Sequence, residues 1–420
     1  MSRRTTRPLR VLVLDHTADL GGAELALVRT CAALDDGVDV RAVLFADGPL
    51  RGRLEDVGVR VDVLPLAGAV AAADRDRAGR LSPWTLVAAA RTLPFLVRLA
   101  RHVRRSRPDV VHTTSLKADL LGVVPAAVAR RPLVWHVHDR IAPDYLPGVL
   151  VRLVRGLARV APAALVANSR ATAATLPVHA RVAYPGFAPE QARGDQVAVP
   201  GRGRSDDEPP VVLMVGRLSP TKGQLEVVRA MPAVREAVPG ARLRIVGDAT
   251  FGAADYAERV REEVRRLGLE DAVDLVGFVA DTRAELDRAA VCVHASPVPE
   301  PFGQVVVEAM VRGVPVVATR AGGVEEILDD DRDDDDHDDD HDADLGQDEN
   351  GDGGALGLLV PPGDVAAIAA AVRQVLTMPD SARARAARAR ASALRRFPVA
   401  RTARVLTEVW SDVSGRSPRA

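Results

Sequence analysis

The residues that decide the fold read EPFGQVVVEAMVRGVPVVAT and run from position 300 to position 319. Pro301 suits the first turn of a helix and Gly303 allows close backbone approach, so we predict a helix that begins near Phe302. The run VPVVAT (314–319) then has the continuous apolar character of a strand that is buried on both faces. A helix followed closely by such a strand is typical of a parallel α/β sheet.

The same alternation of short apolar runs and longer amphipathic segments extends along the whole chain. The strand-like runs are RVLVLD (10–15), VRAVLF (40–45), DVVH (109–112), LVWHV (133–137), ALVAN (164–168), PVVLMVG (210–216), LRIVG (243–247), VDLVG (273–277), VCVHA (291–295) and VPVVAT (314–319). The helix-like segments include 22–35, 84–106, 116–129, 222–235 and 253–267. Continuous aliphatic strands separated by helices predict parallel sheets covered on both faces.

The alternation occurs twice, with a polar interval between the two series. Residues 191–209 are rich in Gly, Pro, Arg and Asp, so we interpret them as a linker. The chain is therefore predicted to form two doubly wound, Rossmann-like α/β domains, 1–190 and 210–396, followed by a terminal segment, 397–420. Ligands of such sheets bind at the carboxyl ends of the strands, so we expect the two domains to face each other across a cleft that holds the site.

Composition narrows the class of protein. The chain of 420 residues is 47% hydrophobic but only 3% aromatic, so its cores must rest on aliphatic side chains. Its two cysteines, Cys31 and Cys292, lie far apart in apolar runs, which argues against a disulfide framework or a thiolate metal site. No apolar run approaches the roughly 20 residues that span a bilayer, and the basic start has no signal-peptide pattern. We expect a soluble, cytoplasmic protein.

The net charge of −1 conceals two segregated segments. Residues 329–354 form an Asp-rich insertion that we expect to be a disordered surface loop, because so many like charges repel one another. Weak binding of divalent ions and intramolecular attraction of the basic helix are the alternatives. The segment VRLARHVRRSRPD (97–109) is strongly basic. It fits contact with an anionic membrane or an anionic substrate, and an ordinary solvated helix face is the alternative.

Two carboxylates flank the start of the helix predicted after position 300. Glu300 lies in the preceding loop and Glu308 lies on the second turn. Between them, the backbone amides of Gly303, Gln304 and Val305 form a helix N-terminus, which binds anions. A ligand with phosphates in its middle and hydroxyl groups at both ends fits this order, with Glu308 accepting from a ribose and Glu300 from a sugar.

Cations for such phosphates are available in the same domain. The stretch VGRLSPTKGQ (215–224) places Arg217 and Lys222 just after a predicted strand. Arg offers a planar fork for phosphate and Lys a movable point charge. An ordinary surface pair is the alternative, but both residues follow the carboxyl end of a strand in the domain of the two glutamates.

The first domain offers a glycine pair and a histidine. Gly21 and Gly22 open a helix after the first strand, where the backbone can approach a phosphate closely. His138, next to Asp139, follows another strand and is a candidate for contact with a ligand.

Together these motifs resemble the family-4 glycosyltransferases, which are retaining enzymes of the GT-B fold. The resemblance spans nearly the whole chain. It rests on the E-x7-E pair and on the motifs VGRLSPTKG (215–223), LRIVGD (243–248), VANSRATAATL (166–176), VAYPGF (182–187) and GLLVPPGD (357–364). It also implies that a helix within 397–410 crosses back to the first domain.

The resemblance implies a role for each candidate residue. Arg217 and Lys222 would hold the donor diphosphate. Glu308 would bind the ribose, and Glu300 would bind the transferred sugar together with the backbone amides of Gly303, Gln304 and Val305. Gly22 would approach the phosphates and His138 would touch the sugar near the reacting carbon.

The function that follows is transfer of a sugar from a nucleotide-diphosphate donor to an acceptor hydroxyl with retention of configuration. A nucleotide-sugar 2-epimerase of similar fold and a non-catalytic nucleotide-sugar binding protein are the alternatives. We expect no cofactor, no metal and no nucleic-acid partner, although the DRD triplet at 74–76 has the Asp-x-Asp spacing of metal-dependent transferases. The acceptor would be a sugar or a lipid-linked molecule, and the basic segment 97–109 predicts peripheral contact with an anionic membrane at its inner face.

Overall fold

The structure is a computed structural model that describes residues 7–66, 83–192, 209–249, 254–329 and 355–416. The chain divides into two compact units, Met1–Phe187 with Phe397–Ala420 and Ala188–Arg396. We call them the N-terminal unit and the C-terminal unit. Three predicted features lie outside the described residues: the Asp-x-Asp triplet, all but the ends of the linker, and the acidic insertion beyond Asp329.

The N-terminal unit contains a parallel sheet of seven described strands in the order β3-β2-β1-β4-β5-β6-β7. The strands are β1 (Leu9–Asp15), β2 (Val38–Leu44), β3 (Arg60–Val63), β4 (Val110–Thr113), β5 (Leu133–Val137), β6 (Ala164–Ala167) and β7 (Arg181–Val182). The helices between them are α1 (Gly22–Ala32), α2 (Pro49–Asp56), α3 (Pro83–Ser106), α4 (Leu116–Ala129), α5 (Gly148–Ala158) and α6 (Arg170–Ala173). The sheet reverses its direction of growth at β1, as a doubly wound sheet does.

Helices cover both faces of this sheet, because successive side chains of a strand point to opposite faces. Leu12 and Leu14 of β1 pack in the core beneath α3, α4 and α5, whereas Val11 and Val13 belong to the core on the opposite face. Each large aliphatic side chain that is fully buried in this way contributes about 1.5–3 kcal/mol. The continuous apolar character of β1 is therefore explained by burial on two sides.

The C-terminal unit contains a parallel sheet of six described strands in the order β10-β9-β8-β11-β12-β13. The strands are β8 (Val211–Val215), β9 (Arg242–Val246), β10 (Val273–Gly277), β11 (Val291–His294), β12 (Val316–Thr319) and β13 (Leu358–Val360). The helices are α7 (Gln224–Ala237), α8 (Ala254–Arg266), α9 (Arg283–Arg288), α10 (Gln304–Val311), α11 (Gly323–Leu328), α12 (Val365–Thr377) and α13 (Pro379–Arg396), and a short 3-10 helix spans Pro189–Gln191. The two parallel sheets confirm the predicted fold class.

The helix α14 (Val399–Ser414) returns to the N-terminal unit and completes its second core. Leu406, Val409 and Trp410 pack in the same apolar cluster as Val11 of the first strand. The indole Nε1 of Trp410 donates a hydrogen bond to Nδ1 of buried His112 at 3.2 Å. Among the described residues, no helix combines the length and the apolar character required to cross a membrane.

Candidate active site

The two neighbouring strands β8 and β11 bring Lys222 and Glu300 together. Each residue lies in a loop that follows the carboxyl end of its strand, and the two strands are paired in the sheet. Lys222 Nζ donates to both carboxylate oxygens of Glu300, at 2.7 Å to Oε1 and 2.8 Å to Oε2. Two of the predicted site residues therefore form an ion pair at the predicted edge of the sheet.

The backbone conformation of these two loops depends on two glycines. Gly223 has φ +81°, and a Cβ placed there would lie 2.0 Å from the carbonyl oxygen of Ala295. Gly322 has φ +73°, and a Cβ there would lie 2.2 Å from the carbonyl oxygen of Glu300. Positive φ and these close approaches both require glycine. The backbone amide of Gly323 also donates to the Glu300 carbonyl at 2.8 Å, which fixes the backbone that carries the carboxylate.

Buried polar side chains that sequence reasoning missed tie the same loops together. Gln224 is fully buried, and its Nε2 donates to the Arg217 carbonyl oxygen at 3.0 Å. Ser296 is also buried, and its Oγ lies 2.6 Å from the carbonyl oxygen of Thr221. A polar residue at the first position of a helix and a polar residue just after an apolar strand are the sequence signals that could have identified them. Both hold the backbone on either side of Lys222.

The Glu300 carboxyl is ionised although its side chain is only 17% exposed. Burial would raise its pKa, but the Lys222 ammonium beside it, together with His294, holds that pKa well below its ordinary value. A carboxylate of this kind accepts hydrogen bonds from hydroxyl groups. The pair therefore offers an acceptor for a polyol and a cation for an anion at the same place.

The start of α10 lies in the same unit, and Glu308 lies on its second turn as predicted. Gly303 precedes the helix with φ +109°, and a Cβ there would approach Val324 Cγ2 to 2.9 Å. The first helical residues are Gln304 and Val305, so the helix begins two residues later than expected. The half-buried Glu308 carboxylate has a long contact of 3.4 Å with Gln191 Nε2. The amides at this helix end suit an anion.

Arg217 lies two residues beyond the end of β8, and its side chain is exposed. The structure thus places Arg217, Lys222, Glu300, Gly303 and Glu308 in one unit at strand ends and on the following helices.

Gly22 and His138 belong to the N-terminal unit. Gly22 is the first residue of α1, and the preceding residue, Gly21, has an extended backbone. A Cβ at Gly21 would lie 2.4 Å from Glu24 Oε2, so this carboxyl group lies against the glycine loop. Burial, reinforced by the nearby Asp15, raises the pKa of Glu24 to about 7. Glu24 is a titratable group that sequence reasoning missed.

His138 follows β5, and its carbonyl oxygen accepts a hydrogen bond from Asn168 Nδ2 at 3.2 Å. Its ring centroid lies 4.1 Å from that of His136. Burial lowers the pKa of His138 to about 4, so the imidazole is neutral at pH 7. A neutral imidazole both donates and accepts hydrogen bonds, which suits contact with a sugar hydroxyl.

Two family models match the chain. Residues 20–185 match the family described as Glycosyltransferase Family 4, and residues 209–378 match the family described as Glycosyl transferases group 1. The matches lie in the N-terminal and the C-terminal unit respectively. Residues 20–185 therefore form a family 4 domain and residues 209–378 a group 1 domain, and the two parallel sheets have the GT-B fold.

Two individual proteins with similar sequence are named glycosyltransferases. An uncharacterized glycosyltransferase of Methanocaldococcus jannaschii is 39% identical over 127 residues, 30% of this chain and 31% of that protein. The D-inositol 3-phosphate glycosyltransferase of Segniliparus rotundus is 36% identical over 140 residues, 33% of this chain and 30% of that protein. These alignments span about a third of the relatives' own length.

A solved structure matches over almost the whole chain. The crystal structure of Anabaena HepE in complex with UDP and glucose has a TM-score of 0.76 and 27% identity, over 96% of this chain and 99% of that one. The same Anabaena protein is also known in complex with UDP-glucose.

Proposed function

We propose that this protein is a glycosyltransferase that moves a sugar from a nucleotide-diphosphate donor to an acceptor hydroxyl, with retention of configuration and without a metal ion. The observation that carries the proposal is the Lys222–Glu300 pair at the carboxyl ends of β8 and β11, within the group 1 domain. The pair supplies one cation for a diphosphate and one acceptor for a sugar.

The roles follow from the chemistry of each group. Lys222 and Arg217 neutralise the diphosphate, and the amides from Gly303 to Val305 bind its oxygens. Glu308 accepts hydrogen bonds from the ribose hydroxyls, and Glu300 accepts them from the sugar. Negative charge grows on the diphosphate as the glycosidic bond breaks, so preorganised cations stabilise the transition state more than the ground state.

Gly22 and His138 of the family 4 domain complete the proposed set. Gly22 brings backbone amides to the phosphates, and neutral His138 donates to the sugar near the reacting carbon. The metal-independent mechanism is supported by the positive groups already assigned to the diphosphate. Both relatives identified by sequence, from Methanocaldococcus jannaschii and Segniliparus rotundus, are named glycosyltransferases, which favours this function over an epimerase.

A donor panel tests the proposal. UDP-, GDP- and ADP-sugars are added to the protein in thermal unfolding, and a ligand at 100 times its dissociation constant should add about 2.7 kcal/mol of stability. The stabilising donor is then incubated alone with the protein. Slow hydrolysis supports a transferase, whereas an epimerised donor or no chemical change contradicts it. The anomeric configuration of a transferred sugar, read by NMR, decides retention.

We further propose that the N-terminal unit contacts an anionic membrane through the outer surface of α3, α4 and α5. These helices share one core cluster and therefore lie on one face of the sheet. Their exposed large apolar side chains, between 39% and 61% accessible, are Leu93, Val97, Val124, Val128, Val149 and Leu153. Their exposed arginines in the described part are Arg98, Arg101, Arg104, Arg105 and Arg152.

The same three helices contain one acidic residue, Asp119, and it is buried. In the described part of the chain, these three helices combine exposed apolar side chains with arginines and expose no carboxylate of their own, which suits anionic headgroups over an acyl layer. Contact there fits a lipid-linked acceptor.

Vesicle sedimentation tests the membrane contact. We expect binding to phosphatidylglycerol vesicles that weakens with salt, no binding to phosphatidylcholine vesicles, and loss of binding in the Val149→Ser/Leu153→Ser variant. Met378→Ser, a similarly exposed apolar residue of the C-terminal unit, is the matched control. Equal sedimentation with both lipids, or with neither, contradicts the proposal.

A further inference from the structure

His294 is a buried polar side chain beside the ion pair. It is the last residue of β11, its side chain is 6% exposed, and its Nε2 lies 3.6 Å from Glu300 Oε2. In the part of the chain that the structure describes, neither ring nitrogen has a hydrogen-bond partner. Buried polar groups nearly always have a partner, so a histidine left in this position calls for an explanation.

If the proposed function holds, on which this inference rests, Lys222 has two anionic partners, the Glu300 carboxylate and the donor diphosphate. In the structure Lys222 directs its ammonium at both oxygens of Glu300. A donor diphosphate attracts the same ammonium, because Lys is a movable point charge. When Lys222 turns to the phosphates, Glu300 stays largely buried and loses much of its compensation, which is costly for a carboxylate.

We propose that His294 is a positioning residue that holds Glu300 once Lys222 engages the donor. Its Nε2–H then donates to Glu300 Oε2. The gap of 3.6 Å must close to about 2.7–3.2 Å, a movement of less than about 1 Å. Glu300 thereby keeps one fixed hydrogen bond and an orientation suited to the sugar hydroxyls, while Lys222 serves the diphosphate.

The first test needs no donor. A crystal structure of the ligand-free Lys222→Ala variant should show His294 Nε2 within about 3.2 Å of Glu300 Oε2. A distance that stays at 3.6 Å or more, or a Glu300 side chain turned to solvent, overturns the proposal. This result stands whether or not the protein is a transferase.

The second test separates positioning from simple stability. His294→Leu should keep its affinity for UDP, GDP or ADP within about twofold, while hydrolysis of the matching donor falls about tenfold in kcat. His294→Gln, whose amide can donate to Glu300, should recover most of that loss. Val293→Ala is the control, since Val293 lies on the same buried strand but packs in the core on the other face.

Equal loss of nucleotide affinity and kcat in His294→Leu, or no recovery in His294→Gln, contradicts the positioning role. A parent protein that binds none of the three nucleotides and hydrolyses no donor refutes the proposed function instead. In that case the Lys222→Ala structure still decides whether His294 is the second partner of Glu300.

Discussion

Replacing Gly223 by alanine should disrupt the turn that carries Lys222, and the structure supplies a matched control. Gly223 and Gly268 both belong to the C-terminal unit and both have positive φ, +81° and +63°. A Cβ at Gly223 would lie 2.0 Å from the Ala295 carbonyl oxygen, whereas a Cβ at Gly268 has no neighbour within 4 Å. The two variants share the backbone strain and differ in the clash.

The backbone strain and the steric clash set the expected loss of folding free energy in each variant. A non-glycine residue in the left-handed region costs roughly 1–2 kcal/mol, which both variants lose. Forced overpacking costs about 1–3 kcal/mol more, and this term applies to Gly223→Ala alone. A difference of about 2 kcal/mol corresponds to about 4–8 °C in Tm for a unit of this size. Nucleotide binding should also weaken in Gly223→Ala, because Lys222 is the preceding residue.

Calorimetric unfolding and nucleotide titration of both variants check this reasoning. We expect Gly268→Ala to unfold slightly below the parent and to bind UDP, GDP or ADP as the parent does. If the two variants share one Tm and one nucleotide affinity, the close approach of Gly223 to the Ala295 carbonyl does not control the site and the assignment of this turn is wrong.

Three further outcomes are expected. Glu308→Ala should weaken donor binding, measured by calorimetry, by roughly 1.5–3 kcal/mol, because the ribose loses a charge-assisted hydrogen-bond partner. An unchanged affinity contradicts the assignment of Glu308 to the ribose. Transfer should survive excess chelator, and activity that vanishes and returns with magnesium or manganese contradicts the metal-independent mechanism. Burial raises the pKa of Glu24 from 4.5 to about 7, so between these values the unfolded state has lost a proton that the folded state keeps, and stability falls as pH rises. The Glu24→Gln variant should therefore have a higher Tm than the parent at pH 8 but not at pH 4.5. An equal difference in Tm at the two pH values contradicts the raised pKa of Glu24.

Much of the fold could be predicted because strands buried on both faces are continuous aliphatic runs. All ten strand-like runs form strands of the two sheets. Among the described strands, three were missed: β3, β7 and β13. All three lie at the ends of their sheets, where burial is one-sided or the strand is short; β3 reads RVDV and alternates exposed charged residues with apolar ones.

The sequence predicts which types of residue form the candidate site, but it does not predict which contacts these residues make with one another. Carboxylates and cations after strand ends could be identified from the sequence, but the ion pair of Lys222 with Glu300 depends on the pairing of β8 with β11, which are not consecutive in the chain. Gln224 and Ser296 were missed because their hydrogen bonds go to backbone carbonyls, that of Arg217 seven residues earlier and that of Thr221 in the loop after a different strand. Such partners become visible only when the chain is folded.

The return of α14 to the N-terminal unit has a consequence for how the protein is made. Leu406, Val409 and Trp410 cover the apolar side chains of Val11 and its neighbours on the second face of the sheet. A ribosome adds about 5–20 residues per second, so roughly 10–45 s pass between completion of Phe187 and the appearance of Trp410. During that interval the C-terminal unit can fold as a continuous segment, while the nascent N-terminal sheet still exposes the part of one apolar face that α14 covers. Chaperone dependence and aggregation during synthesis should therefore respond to changes in this last helix more strongly than its short length suggests.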